Sequence, residues 1–171
     1  MTRNACLAIR GRRIPRLCLA VAALIMAATA QAVTCSISTG GLPFIAYSVY
    51  AATADTGNAT ISVTCNYQAS DHGTVTVNYT VSLSTGSSNS FVNRTMKIGA
   101  NSLQYNIYTT NTYNVVWGNG TGGSSTQTGS MSLSNGHKSQ TNPLTAYGRI
   151  PALQDVSVGN YSDNITVTVT Y

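Results

Sequence analysis

The feature that most constrains this chain is a strict alternation of apolar and polar residues, which is clearest in its last segment, YSDNITVTVTY. The apolar members of the last part of that segment are Ile165, Val167, Val169 and Tyr171. A period of two residues is typical of a β-strand with one buried face and one solvated face. Because the sequence ends on this strand, we expect it to pair with an earlier strand or with another molecule, since unpaired backbone groups promote association.

The same alternation recurs in the rest of the chain after residue 32. Two long runs cover 60–67 and 75–83, and shorter runs lie near 96–98, 103–107, 113–117, 131–133 and 144–150. Turn-forming residues, chiefly Gly, Ser and Asn, fill the stretches at 84–90, 117–129 and 134–143. No window shows the 3.6-residue period of a helix. The pattern therefore predicts an all-β fold, an antiparallel β-sandwich in one domain with almost no helix.

Residues 1–32 have the features of a secretory signal peptide. Arginines cluster between Arg3 and Arg16, an apolar run follows at 17–30, and small residues flank Gln31 as in a cleavage site. The apolar run is shorter than the roughly 20 residues that a membrane-spanning helix needs. We therefore expect residues 1–32 to be removed, with no retained membrane anchor, and residues 33–171 to form the exported domain.

The positive charge of the chain resides in this leader. The whole sequence has a formal net charge of +5. After residue 32, however, the basic residues are only Arg94, Lys97, Lys138 and Arg149, and four aspartates balance them. A mature chain of zero net charge has no electrostatic reason to bind nucleic acid or an anionic membrane. A surface with so few charges favours self-association instead.

Cysteine usage agrees with export. Cys6 and Cys18 lie in the leader, which leaves Cys35 and Cys65 as an even pair in the mature chain. We interpret this pair as one disulfide, which would stabilise the fold by about 3–4 kcal/mol on the chain-entropy model. Two free buried thiols are the alternative. Metal binding is disfavoured, because two cysteines and two distant histidines have no spacing that suits a tetrahedral site.

The sequence offers no constellation for catalysis or cofactor binding. His72 and His137 each lie in a polar turn, where a solvated loop histidine is expected, and no aspartate has the context of a paired-carboxylate site. The glycine-rich stretch GNGTGG lacks the lysine and the following helix of a phosphate-binding loop, so we interpret it as a hairpin loop. We predict that the protein is not an enzyme and has no catalytic, metal or cofactor site.

Several segments of the mature chain together resemble the spore coat protein U domain family, which includes myxobacterial spore coat protein U and subunits of archaic chaperone-usher pili. They run in order over nearly the whole of residues 35–171. The segments are LPFIAY after Cys35, TISVTC ending at Cys65, NRTMKIG, LQYNIYTT, VWGNGTG and YGRIPALQDVSVGNYSDNITVTVTY.

The resemblance implies an immunoglobulin-like β-sandwich that lacks its last strand. In such subunits the terminal strand borders a hydrophobic groove, which a periplasmic chaperone fills first and the N-terminal arm of the next subunit fills in the fibre. The outer-membrane usher and other pilus or coat subunits are the further implied partners. The residues implied to line the acceptor groove are Ile165, Val167, Val169 and Tyr171, with the Tyr171 carboxylate as an anchor for the chaperone.

The same resemblance implies export through the periplasm to the cell surface, in a pilus or a spore coat, with roles in cell adhesion and biofilm formation.

Two features depart from the family pattern. Cleavage after Ala32 would leave only Val33 and Thr34 ahead of the first cysteine, so the chain has almost no arm to donate. We therefore expect a terminal subunit, or a coat protein that does not propagate a fibre. The other departure is Ile45 after Phe44, where the family usually has Gly, so the local turn is expected to differ.

Two other hypotheses stay open. The first is a self-sufficient coat or matrix protein whose own early strand completes the sandwich. The second is an adhesive binding module that uses aromatic residues such as Tyr108, Tyr113 and Trp117, although their alternation with polar residues favours core packing. We interpret Arg94 and Arg149 as structural arginines that donate hydrogen bonds to loop carbonyls.

Overall fold

The computed structural model describes residues 33–68 and 72–171. The alternating runs, rich in Val, Thr, Ile and Tyr, form β-strands there because branched and aromatic side chains pack well on a pleated, half-buried surface. The strands are β1 (Thr34–Thr39), β2 (Asp55–Asn66), β3 (Thr74–Leu83), β4 (Arg94–Ile98), β5 (Asn101–Tyr108), β6 (Gln127–Ser134), β7 (Ser139–Ile150) and β8 (Val167–Thr170). The helical content of this part of the chain is one short 3₁₀ turn, Gly86–Ser88.

The strands form two antiparallel sheets. A five-stranded sheet, here called the large sheet, has the order β1-β2-β7-β5-β4, and a three-stranded small sheet has the order β6-β3-β8. The predicted all-β antiparallel sandwich is thereby confirmed. The predicted signal peptide, residues 1–32, lies outside the described residues.

Side chains of both sheets fill a closed core. The residues with 0–1% exposure in it include Val63, Cys65, Val81, Trp117, Met131 and Leu133. The indole Nε1 of Trp117 donates a hydrogen bond of 3.0 Å to the carbonyl of Val81. The single polar group of this large side chain is therefore satisfied inside the core, as buried indoles require.

Arg94 lies fully buried beside this core, where it links three parts of the chain. Its guanidinium donates to the carbonyl oxygens of Ser84, at 2.7 Å, and Trp117, at 2.8 Å, and to Oδ1 of Asn106, at 2.8 Å. Removal from water lowers the pKa of Arg94 from its ordinary value. The structural role predicted for this residue is confirmed.

Arg149 behaves differently from this prediction. It is exposed, and its guanidinium lies 5.6 Å from the ring centroid of Tyr113, a cation–π contact. The contact places Arg149 on the outer face of the large sheet, where its charge stays hydrated.

The prediction of a strand near 113–117 is wrong. The amide of Tyr113 donates to the carbonyl of Thr110, and Tyr113 itself has a φ of 54°, which ends any extended run there. The hydroxyls of Thr110 and Thr112 both bond the side chain of Asn114. Such local side-chain bonds offer the backbone an alternative to a ladder, so this segment forms a turn with isolated bridges at Val116 and at 117.

The glycine-rich stretch that follows is a loop, as predicted, but it does not connect a hairpin. Trp117 bridges Ser125 in the parallel sense, whereas a hairpin needs antiparallel partners.

Candidate functional site

The terminal segment, residues 161–171, ends in β8, which forms one edge of the small sheet. Half-buried and exposed residues alternate strictly over 161–170, and β8 pairs with β3 as its one partner among the described strands. Ile165, Val167 and Val169 are half-buried against the core, while Tyr171 is 55% exposed. The apolar face predicted from the sequence therefore points inward but is incompletely covered.

The hydrogen-bond phase of β8 identifies which backbone groups it leaves free. The amide of Ser84 donates to the carbonyl of Thr166 at 2.9 Å, directly opposite in the register. In antiparallel pairs, hydrogen-bonded and non-hydrogen-bonded positions alternate. Thr168 therefore bonds to β3, and the backbone N–H and C=O groups of Val167 and Val169 face the open edge.

An apolar cleft of about 1120 Å³ opens beside this segment. Its floor is the inner face of the large sheet, where the small sheet does not reach. The floor residues include Ala59, Ile61, Leu103, Ile107, Ala146 and Ile150. Two irregular stretches complete the lining: residues 41–50, which follow β1, and residues 156–165, which precede β8.

The terminal segment crosses from one sheet to the other along this cleft. Ser162 bridges Lys97 at the edge of β4, and β8 then joins the small sheet. Between these points Asp163 accepts hydrogen bonds from the hydroxyl of Tyr105, at 2.8 Å, and from the amide of Ser87, at 2.9 Å. These bonds fix the start of the strand relative to both sheets.

The Asp163 carboxylate and burial act together on Tyr105. Loss of solvation is the larger cause and the hydrogen bond to Asp163 the next, and both raise the pKa of the Tyr105 hydroxyl above its ordinary value. The phenol therefore stays protonated, and continues to donate to Asp163, at alkaline pH values where an ordinary tyrosine ionises.

A glutamine side chain replaces a missing strand partner just beyond the end of β7. Register places Pro151 opposite Gln104 just beyond β7, and a proline has no amide to donate. The side chain of Gln154 accepts from the amide of Gln104, at 2.8 Å, and donates to its carbonyl, at 2.9 Å. The chain can thus leave the large sheet there without an unsatisfied backbone group on β5.

The other edge strand near the cleft is β1, which a disulfide fixes to β2. Cys35 and Cys65 are bonded, directly opposite in the register, with Cα atoms 4.0 Å apart. The predicted disulfide is confirmed. Its short Cα distance is typical of a non-hydrogen-bonded pair, so backbone groups of Cys35 and Ile37 face the free edge of β1.

The edges of β1 and β8 lie near one another without pairing. Their Cα atoms approach within 8 Å, yet no ladder joins the two strands. The sandwich is thus closed by contact alone along this seam, and it opens into the cleft at the end of β1.

The alternative functional residues lie elsewhere. Trp117 is fully buried, and Tyr108 and Tyr113 pack edge to face with ring centroids 5.5 Å apart. His72 and His137 are both exposed, as predicted for loop histidines. No group of three metal-ligating side chains occurs among residues 33–68 and 72–171. In that same part of the chain, no helix has the length and hydrophobicity to cross a membrane.

Sequence reasoning found one wall of the cleft and missed the rest. The apolar residues of LPFIAY, of which Leu42, Phe44 and Tyr47 are half-buried and Ile45 is exposed, could have indicated a segment with an inner face. Glycines inside the long strands β2 and β7 could have indicated a close approach of other groups. Neither signal indicates which element approaches which sheet.

Comparisons with known proteins agree with this architecture. A family model described as the Spore Coat Protein U domain matches residues 21–168. No curated protein matches the chain.

A similar fold occurs in a crystal structure of the CsuC-CsuE chaperone-tip adhesion subunit pre-assembly complex from archaic chaperone-usher Csu pili of Acinetobacter baumannii. The TM-score is 0.50 at 21% sequence identity, over 82% of this chain and 40% of that chain. This chain thus spans well under half the length of that one, and the likeness shows the fold alone.

Proposed function

This chain belongs to the Spore Coat Protein U domain family, and we propose that it is an exported structural subunit of a chaperone-usher pilus or a related coat, which accepts a β-strand from a partner. One observation carries the proposal. Among the strands of residues 33–68 and 72–171, the terminal strand β8 has a partner on one side only, and an open apolar cleft lies beside it.

Strand addition fits the groups that β8 exposes. The free backbone groups of Val167 and Val169 would bond an added strand, which gives generic affinity. Alternate side chains of that strand would enter the cleft beside Ile165 and set the register. Each apolar side chain that is fully buried in this way is worth about 1.5–3 kcal/mol.

The family and the similar fold support particular partners. The solved structure with the similar fold is that of a chaperone and a tip adhesion subunit. We propose that a periplasmic chaperone occupies the cleft of this chain first, and that the arm of another subunit replaces it at the outer-membrane usher. The predicted acceptor residues Ile165, Val167, Val169 and Tyr171 belong to this proposal.

Insertion of a strand between β1 and β8 requires the seam to widen. Neighbouring strands lie about 4.8 Å apart, so two edge strands with a third between them are separated by about 10 Å. The present approach of β1 and β8 within 8 Å is too close for that. The proposed partner therefore enters from the cleft end and separates the two edges.

The test is expression in the periplasm, alone and with an archaic-type chaperone. We expect the chain alone to be unstable and prone to aggregation, so that it is recovered in low yield, and the co-expressed chain to be recovered in high yield as a soluble one-to-one complex. Soluble, monomeric and cooperatively folded protein that binds neither chaperone nor strand peptides would overturn the proposal.

Two proline variants test the strand edge itself. Val167→Pro removes an amide that faces the open edge, so we expect a folded subunit that no longer forms the complex. Thr168→Pro removes an amide from the ladder with β3, so we expect loss of stability before any partner is added. Val167→Ala, which keeps the amide, serves as the side-chain control.

The second candidate function is a self-sufficient coat or matrix domain. The contact between β1 and β8 favours it, because this seam already shields part of the core. In that case the chain folds alone and Val167→Pro has no effect on assembly.

The role of a terminal subunit rests on cleavage after Ala32. Sequencing the amino terminus of the secreted protein tests it. A mature start near residue 33 supports the role, and a start near residue 20 would provide a donor arm and contradict it.

A further inference from the structure

A short extended segment, residues 42–47 and here called the strap, lies against the inner face of the large sheet. Leu42, Phe44 and Tyr47 are half-buried, while Pro43 and Ile45 are exposed. Burial alternates from residue 42 to residue 45, and Ala46 interrupts the alternation before Tyr47. The segment joins neither sheet. Side-chain contacts therefore hold it in place.

Two glycines make room for the strap. Gly57 in β2 and Gly148 in β7 are directly opposite one another in the register. A Cβ on Gly148 would lie 2.6 Å from Cζ of Phe44 and 2.7 Å from Cδ2 of Leu42, and one on Gly57 would meet the carbonyl oxygen of Pro43. Neither glycine has a positive φ, so space and not backbone conformation requires them.

Polar and aromatic contacts also hold the strap against the inner face of the large sheet. The hydroxyl of Tyr47 donates to the carbonyl of Pro151, at 3.0 Å, and accepts from the amide of Gln154, at 2.8 Å. The ring of Phe44 packs edge to face on Tyr105, with centroids 6.1 Å apart. The strap is thus anchored to the same residues that organise the floor and the terminal segment.

The strap also lines the cleft. Leu42, Phe44 and Tyr47 border the same apolar space as Ile165 and Val167. We propose that the strap is a specificity-determining wall of the strand-acceptor cleft, and that the Gly57–Gly148 pair sets the depth of this wall and hence the size of the apolar side chains that an incoming strand can insert. This inference rests on the proposed function.

The test uses the exported full-length protein and labelled ten-residue peptides in which threonine alternates with one apolar residue type. The apolar residue is Ala, Val, Leu or Phe, and binding is measured by fluorescence anisotropy. Phe44→Ala widens the cleft, so we expect the preference to move toward the Leu and Phe peptides by about tenfold relative to the Ala peptide. Gly148→Ala pushes the strap away from the large sheet and into the cleft, which narrows it. We therefore expect the preference to move toward the Ala peptide.

Gly40→Ala is the matched control, because a Cβ at Gly40 has nothing within 4 Å and its φ is not positive. It should keep the wild-type ranking of peptides. Phe44→Leu provides a milder change if Phe44→Ala does not fold, with a smaller shift in the same direction.

The outcomes separate this inference from the proposed function. Peptide binding with the same ranking in wild type, Phe44→Ala, Phe44→Leu and Gly148→Ala would overturn the role of the strap and leave strand addition intact. If the wild type binds none of the peptides and no chaperone, strand addition fails and this inference fails with it.

Discussion

The two halves of the sandwich are built differently. In the packed half, the small sheet covers the large sheet and side chains such as Val63 and Leu133 are fully buried. In the open half, the large sheet is covered by the strap and by residues 156–165, whose inward apolar side chains, such as Phe44 and Ile165, are only half-buried. In the packed half, paired strands cover the core, whereas in the open half irregular segments cover it. The difference indicates where stability resides and where a partner can add to it.

The largest effect is expected in the packed half. Leu133→Ala removes a side chain with 0% exposure from the core, so we expect the free energy of unfolding to fall by about 2–5 kcal/mol. Urea denaturation of the isolated protein measures this loss. A loss below about 1 kcal/mol would mean that this half is no better packed than the open one.

The disulfide fixes the edge strand β1 to the packed half. Replacing Cys35 and Cys65 together by alanine should cost about 3 kcal/mol of stability on the chain-entropy model. Thermal unfolding of the double variant and of the reduced wild type should agree. Equal midpoints for reduced and oxidised wild type would show that β1 needs no covalent link.

Alkaline pH tests the buried hydroxyl between the halves. The pKa of Tyr105 is raised in the folded protein, so its stabilising contribution is complete below about pH 10, the unfolded value, and is lost as the pH rises above it. The expected slope is small at pH 9 and approaches about 1.4 kcal/mol per pH unit as the pH rises above 10. Tyr105→Phe should remove this slope in denaturation measured between pH 9 and 11, whereas Tyr50→Phe, at an exposed site, should keep it.

The smallest effect on the free subunit is expected in the open half. Ile165→Ala should lower its stability by about 1 kcal/mol or less, because this side chain is only half-buried. With a chaperone or donor peptide bound, the same change should weaken the complex by about tenfold, measured as a dissociation constant. A large loss of stability in the free subunit, with no change in the dissociation constant, would show that Ile165 stabilises the free fold and does not contribute to partner binding.

The sequence allowed much of the packed half to be predicted. The alternation around Ile61 and Val77 identified β2 and β3 because that signal is local, and the disulfide could be predicted because the exported chain holds a single pair of cysteines. The run at 113–117 had the same alternation but became a turn, because hydroxyl and amide side chains there bond locally and Trp117 is recruited into the core.

The open half was harder to predict for a physical reason. Ile165 and Val167 were identified as an apolar face, but the opposite wall depends on contacts between residues far apart in sequence. Phe44 lies on Gly148 and Tyr47 bonds Pro151, about a hundred residues away. No local period encodes such contacts. The apolar residues of LPFIAY and the glycines in β2 and β7 are the sequence features that correspond to them.

The phase of hydrogen bonding along β8 has a practical consequence for chemical intervention. Along β8, the backbone groups that a ligand can reach are those of alternate residues, Val167 and Val169. A synthetic strand could be N-methylated on the alternate amides that point away from β8. It would keep every amide that can bond β8 and lose those that could bond β1. Such a compound would occupy the site as a one-sided cap, and the same methylation moved by one residue would abolish docking, so a pair of isomeric peptides could serve as inhibitor and inert control.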